Sequence, residues 1–227
     1  MNIIAIDGPA ASGKGTITST LAEKLNGHHI NSGSVYRKLA VLLCEKIKID
    51  DLFDANLEVE CDNIVSEIMR DGVFHTSKVS DLQLYTPHIS RVASKIATYS
   101  SIRKLATKIQ LDTIQSCKTH YKFILLEGRD AALVAGNNCL CKIFITAHIS
   151  ERAKRRLKQL KNSKFSSIYE SVLRQMENRD TDDATRFLDP LSVSGDAIVV
   201  DSGAASIEEV VEFLTTFILL KTSSFRS

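Results

Sequence analysis

Residues 2–25, NIIAIDGPAASGKGTITSTLAEKL, constrain the fold more than any other stretch of the chain. Ile3, Ile4, Ala5 and Ile6 form a short apolar run that Gly8 and Pro9 end. A short run rich in β-branched residues predicts a strand buried on both faces, as in a parallel sheet. Ile17, Leu21, Ala22 and Leu25 recur at helical spacing, so a helix is predicted from near Lys14. Between them lie Gly8, Pro9, Ala10, Ala11, Ser12, Gly13, Lys14, Gly15 and Thr16. Strand, glycine loop and helix is the setting that a phosphate-binding loop requires. The glycines admit positive φ and close approach of a ligand. The first N–H groups of the helix make an anion nest, and the helix dipole strengthens it. Lys14 can reach outer phosphates, and the Thr16 hydroxyl lies where a magnesium ion would sit. The strict pattern has Ser or Thr directly after the lysine; here Gly15 intervenes. A glycine-rich turn that binds nothing is disfavoured, because strand, spacing, lysine and helix agree.

The rest of the chain continues the same alternation. His28-His29-Ile30 is a short second strand, and Asn31-Ser32-Gly33 caps a helix with an apolar stripe of Val35, Leu39, Leu42 and Leu43. The paired histidines are weak metal candidates, since neighbouring strand residues point to opposite faces. Residues 63–80, NIVSEIMRDGVFHTSKVS, alternate apolar and polar on both sides of Asp71-Gly72. That pattern predicts an antiparallel hairpin, read as an insert that is either a structural flap or a cover over a substrate. Residues 87–118 read as helix, broken near 98–101. Residues 123–126 and 142–145 are the third and fourth strands. A very basic helix spans 150–160, another spans 166–178, and 197–201 is the last strand. Ser206 and Glu209 form a capping box for a helix over 207–220, with a frayed tail beyond. The class is therefore α/β: a five-stranded parallel sheet with helices on both faces, an antiparallel β insert and a helical lid. Ligands of such sheets sit at the carboxyl ends of the strands. Three polar clusters fall there, at 8–16, 31–33 and 127–130.

The chain has 227 residues, 44% of them hydrophobic, enough for one sizeable domain with an inserted part. Its division is read as a core over about 1–37, 87–150 and 190–220, a substrate-binding region with the insert at about 38–86, and a lid at about 151–189. With 29 basic and 27 acidic residues, the balance points to neither a nucleic-acid nor a membrane surface. Five scattered cysteines with no CxxC suit reduced, buried thiols, Cys139-Leu-Cys141 included, in a cytoplasmic protein. The first residues build a strand, not a basic and then apolar leader, and no apolar run is long enough to span a bilayer.

Transfer between two phosphates gathers negative charge that the protein must neutralise and align. Arginine suits this, because its planar fork grips phosphate oxygens and stays charged. Arg37 opens a helix beside the second strand, and Arg129 follows the third. Arg152, Arg155 and Arg156 share a face of the basic helix, and Arg179 and Arg186 lie beyond. That helix is either a solvated basic face or a lid over ATP; a P-loop in the same domain favours the lid.

These stretches resemble the bacterial cytidylate kinases, P-loop enzymes of the nucleoside monophosphate kinase superfamily. The resemblance is carried by IDGPAASGKGT from Ile6, NSGSVYRKLA from Asn31, SSIRKLATKIQ from Ser100, EGRD from Glu127, KIFITAHISERAKRRLKQL from Lys142 and RDTDDATRFLDPL from Arg179. It implies transfer of the terminal phosphate of ATP to CMP or dCMP, with magnesium carried mainly on ATP and through water. It implies that residues 8–16 bind ATP and that Lys14, Arg152 and Arg156 steady the transferring group. It implies that Ser94, Arg103 and Asp130 read cytosine, that Arg179 and Asp183 hold the ribose, and that Arg37, Arg129 and Arg186 hold the acceptor phosphate, with Ser32 at the same site. Thr16 and Glu127 would face the metal. A monomer is expected.

The chain departs from the family pattern in places. Asn31 and Glu127 each stand where Asp is usual, Tyr85 where Arg is usual, and AALVAGNNC follows Asp130. Asp182 and Ala184 stand where some relatives are basic. Two other readings compete: a P-loop kinase for UMP or AMP, and a nucleotide-dependent switch or motor. The second class should carry an Asn-Lys-x-Asp or a serine-glycine-glycine signature, and neither occurs.

Overall fold

The computed structural model describes residues 2–47, 56–71, 74, 78–162 and 168–224. In chain order the elements are β1 (Asn2–Asp7), α1 (Lys14–Lys24), β2 (His28–Asn31), α2 (Ser32–Lys46), α3 (Leu57–Asp71), α4 (Asp81–Leu84), α5 (Pro87–Ile96), α6 (Ser100–Cys117), β3 (Phe123–Glu127), α7 (Ala131–Ala135), β4 (Cys139–Thr146), α8 (Ile149–Asn162), α9 (Tyr169–Thr185), β5 (Ile198–Asp201) and α10 (Ile207–Ser224).

β1 is the middle strand of a five-stranded parallel sheet ordered β2-β3-β1-β4-β5. Ile4 pairs with Leu125 on one side and Ile6 with Ile143 on the other. Ile3 to Ile6 are all buried, as a doubly covered strand demands. Helices α1 and α10 lay Ile17, Leu21, Val211, Leu214 and Ile218 on Ile4, Ile6, Leu125, Ile143 and Ile145. Burying each such side chain contributes about 1.5–3 kcal/mol. The parallel order sends the carboxyl ends of β1, β3 and β4 to one edge, where their loops meet.

The chain divides into two compact units, residues 1–30 with 116–227, and residues 31–115. The first holds the sheet and the α8–α9 pair. That pair packs through Ala153, Val172 and Met176, with Ala10 and Ala11 of the glycine loop against it. The second unit is helical, with Leu39, Leu43, Ile64, Ile68, Val92, Ile96 and Ile102 in its core.

The hairpin expected over 63–80 is corrected in its first arm. Residues 63–71 belong to helix α3, and the turn at Gly72 with much of the second arm lies outside the described residues. Leu57, Cys61, Ile64, Val65 and Ile68 recur at helical spacing and are all buried. That stripe outweighs the Asp-Gly turn signal. The tail also differs from expectation: α10 runs to Ser224, with Thr222 buried and its hydroxyl bonded to the Ile218 carbonyl at 2.8 Å. The cysteines are free thiols, and burial pushes Cys61 up to about 11 and Cys141 up to about 12. Among the described residues, no helix is long and apolar enough to cross a membrane.

Candidate active site

The glycine loop is shaped by the strand beside it. Gly8 has φ +147°, and a Cβ there would stand 2.0 Å from the Ile145 carbonyl oxygen, so only glycine fits. Ala11 at φ 55° and Gly13 at φ 89° are also left-handed. For Ala11 that conformation costs about 1–2 kcal/mol, strain of the kind stored at functional loops. Turns of this kind present backbone N–H groups to an anion, and the start of α1 adds its own. Lys14 sits there, 4% exposed, and donates to the Pro9 carbonyl at 2.7 Å and to Ser12 Oγ at 3.3 Å. Burial lowers the Lys14 pKa well below its ordinary value; the Arg129 charge lowers it further, and Glu127 and Asp7 partly offset both.

Arginines and carboxylates gather in the same unit. Arg129, just after β3, donates from Nε to Asp183 Oδ2 at 3.0 Å. Arg186 Nη1 lies 3.9 Å from Asp183 Oδ1, and its Nε donates to the Asp189 carbonyl at 2.7 Å. Arg179 lies near enough to Lys14 and Asp183 for its charge to act on both. Burial alone would raise the Asp183 carboxyl, but Arg129, Arg179 and Arg186 hold it below the usual range. On α8, Arg152 is buried, pairs with Asp180 of α9 at 2.6 Å, and donates to the carbonyls of Ala147 and Ala10 at 2.8 and 3.3 Å. Arg152 therefore touches the glycine loop. Arg156 does not join it: its Nη1 reaches Gln159 on the same helix at 3.4 Å.

Two carboxylates close the strand ends. Asp7 ends β1 and accepts from the N–H groups of Ala131 and Ala132 at 2.7 and 2.8 Å. This pins the loop that carries Arg129 and Asp130. Burial raises the Asp7 pKa, and the two backbone bonds oppose the rise. Glu127 ends β3 and meets His29 Nε2 through Oε2 at 2.8 Å. Burial would raise its pKa, but the bond from His29 and the charge of Lys14 hold it low. A Cβ on Gly15 would stand 3.8 Å from both Glu127 oxygens, so that carboxylate faces the start of α1, beside Thr16. One carboxylate and one hydroxyl are oxygen donors of the class a hard divalent cation takes. They fit an ion that arrives on a nucleotide and keeps its waters. Among the described residues no three His, Cys, Asp or Glu side chains form a metal cage of their own.

The second unit carries the other candidates. Asn31 caps α2, its Oδ1 accepting from the Ser34 N–H at 3.0 Å, and Ser32 is buried in the first turn. As a cap, Asn serves as well as Asp. The Arg37 guanidinium lies 4.7 Å from the centroid of the Tyr85 ring. Arg103 is buried in α6 and donates to the Ala97 carbonyl at 3.2 Å. Ser94 lies on α5, half-buried.

Sequence reasoning missed several participants: Asp7, His29, Asp180, Ser202, and Arg155 as a holder of Ser202. Asp7 had a signal, since it directly precedes the glycine loop. His29, Asp180 and Ser202 had none, because their partners are far away in the chain. Tyr85 stood out only as a departure.

A family model described as cytidylate kinase matches residues 4–219. A cytidylate kinase of Thermotoga maritima is 35% identical over 213 residues, covering 92% of this chain and 93% of the relative. One of Caldicellulosiruptor saccharolyticus is 35% identical, covering 92% of both chains. One of Clostridium botulinum is 34% identical, covering 95% of this chain and 96% of the relative.

Proposed function

The chain belongs to the cytidylate kinase family, and from that premise we infer that it moves the terminal phosphoryl group of ATP onto CMP or dCMP. It is an ATP-dependent nucleoside monophosphate kinase with a P-loop. The observation that carries the reading is the buried Lys14 inside a loop that only glycine at position 8 allows.

In the proposed chemistry an oxygen of the acceptor phosphate attacks the terminal phosphorus of ATP. The bond to the bridging oxygen breaks, and ADP leaves. No protein nucleophile is needed, so the work is alignment and charge neutralisation. Residues 8–16 and the first N–H groups of α1 hold the ATP phosphates. Bound anions favour the charged state of Lys14, against the burial that lowers its pKa. Arg129 and Arg186 take the acceptor phosphate, each steered by Asp183, which with Arg179 also meets the ribose. Arg37 and Ser32 serve the same acceptor. Arg152 steadies the moving group in this reading, which its pairing with Asp180 at 2.6 Å and its bond to the Ala10 carbonyl of the glycine loop support. Arg156 would need α8 to shift, as a lid over 151–189 would allow. Asp130 accepts from the exocyclic amine of cytosine, and Ser94 and Arg103 read the ring. Uracil lacks that amine and would not supply the donor that cytosine offers to Asp130. Magnesium, held by ATP, by Thr16 and through water by Glu127, would supply charge neutralisation at the phosphates. The enzyme works as a cytoplasmic monomer in this reading, with no nucleic-acid or membrane partner.

The test is a coupled assay of ADP formation, offering CMP, dCMP, UMP and AMP separately, with Asp130→Ala and Arg179→Ala controls. Turnover of CMP and dCMP that both substitutions collapse supports the reading. A preference for UMP or AMP overturns the base assignment. Equal ATP hydrolysis without an acceptor overturns the kinase reaction.

A further inference from the structure

Glu127 carries its carboxylate on two methylenes, and an arm of that length has rotamers to lose on ordering. The structure shows what holds it. β2 lies next to β3 in the sheet, so His29 stands beside Glu127, and its Nε2 meets Oε2 at 2.8 Å. Both side chains are largely buried, at 20% and 11% exposed. The other end of the arrangement is the start of α1, where both carboxylate oxygens lie 3.8 Å from the Cβ position of Gly15.

We propose that His29 is a positioning residue of the phosphoryl-transfer site: it holds the Glu127 carboxylate against the start of α1, aligned for the divalent cation that accompanies ATP. His29 touches no substrate. It acts on the carboxylate alone, as the outer partners of metal ligands do, whose loss weakens metal binding by about 10–100-fold. The inference rests on the reading of Glu127 as the carboxylate that faces that cation.

Calorimetry with His29→Leu, His29→Gln, Glu127→Gln and the double variant His29→Leu/Glu127→Gln tests it. ATP is titrated once with excess Mg2+ and once in EDTA, and the Mg2+ dependence of kcat is read beside it. In His29→Leu, Mg·ATP binding weakens roughly tenfold, while ATP in EDTA binds as to the wild type. His29→Gln, which can still donate to Oε2, recovers most of the loss. In the Glu127→Gln background, His29→Leu adds nothing. Equal weakening with and without Mg2+, no weakening in either, or an additive double variant overturns the proposal. If Glu127→Gln itself leaves the Mg2+ contribution unmoved, the metal-facing reading of Glu127 fails and takes the inference with it. If Glu127→Gln moves it and His29→Leu does not, the inference alone fails. His29→Gln keeps the donor, so it serves as the folded control should His29→Leu not fold.

Discussion

Arg155 of α8 grips Ser202 twice, from Nη1 to Oγ at 2.9 Å and from Nη2 to the carbonyl at 2.7 Å, and the Ser202 hydroxyl donates to the Ser12 carbonyl at 2.6 Å. The basic helix therefore props the phosphate-binding loop from behind as well as facing it. Ser202→Ala should raise the KM for ATP several-fold and leave the KM for CMP nearly unchanged. A lost buried hydrogen bond costs about 1–3 kcal/mol, read as a Tm lower by roughly 2–4 °C per kcal/mol for a chain of this size. Steady-state kinetics with each nucleotide varied in turn checks the split.

Lys14 carries the opposite signature. Burial and the Arg129 charge disfavour its protonated state. Lys14→Met removes both the burial penalty on that charge and its repulsion with Arg129, which together outweigh the attraction of Glu127 and Asp7. Turnover should fall by roughly two to three orders of magnitude, the usual loss when a transition-state donor is removed. The Tm should hold or rise. A Tm that falls with activity would mean that Lys14 is mainly a structural residue.

Asp183 links stability to acid. Its folded pKa lies below the ordinary 3.8, because Arg129, Arg179 and Arg186 outweigh burial. The folded state thus binds fewer protons than the unfolded chain. The stabilisation is present above the unfolded value and is lost as pH falls through the folded one. Asp183→Asn should be less stable at neutral pH, and its unfolding free energy should change less between about pH 5 and pH 2. Denaturant unfolding across that range checks it. The same variant frees Arg129, so the KM for CMP should rise.

Tyr85 supports Arg37 through its ring face, with the ring centroid 4.7 Å from the guanidinium carbon. Such contacts contribute about 0.5–1 kcal/mol at exposed sites and about 2 when desolvated. Tyr85→Ala should raise the KM for CMP by roughly threefold to tenfold. Tyr85→Phe should stay near the wild type, because the ring and not the hydroxyl makes the contact. Kinetics of the two variants side by side decides it.

The P-loop was legible because all of its information is local: apolar run, glycines, lysine and helical spacing lie within 24 consecutive residues. The parallel sheet was legible because each buried strand is a short apolar run. Asn63 to Asp71 misled because local alternation and a helical stripe coexist there. Ile64, Val65 and Ile68 serve either pattern, and only Leu57 and Cys61, read with them, settle the helix. The basic helix showed which arginines share a face, but not which one would meet Asp180 and which would meet Ser202. His29 and Glu127 are 98 residues apart, and nothing near either announces the other.

The fit of Gly8 against Ile145 and the bond from Ser202 to Ser12 have a consequence for synthesis. Ser12 leaves the ribosome early, but the serine that holds it comes 190 residues later. A nascent chain that ends before β4 and β5 has the P-loop motif without its walls. Competence to bind ATP therefore arrives late in translation, when the last strand docks. Photo-crosslinking of labelled ATP to arrested chains of increasing length should show labelling begin only once Ser202 has cleared the exit tunnel.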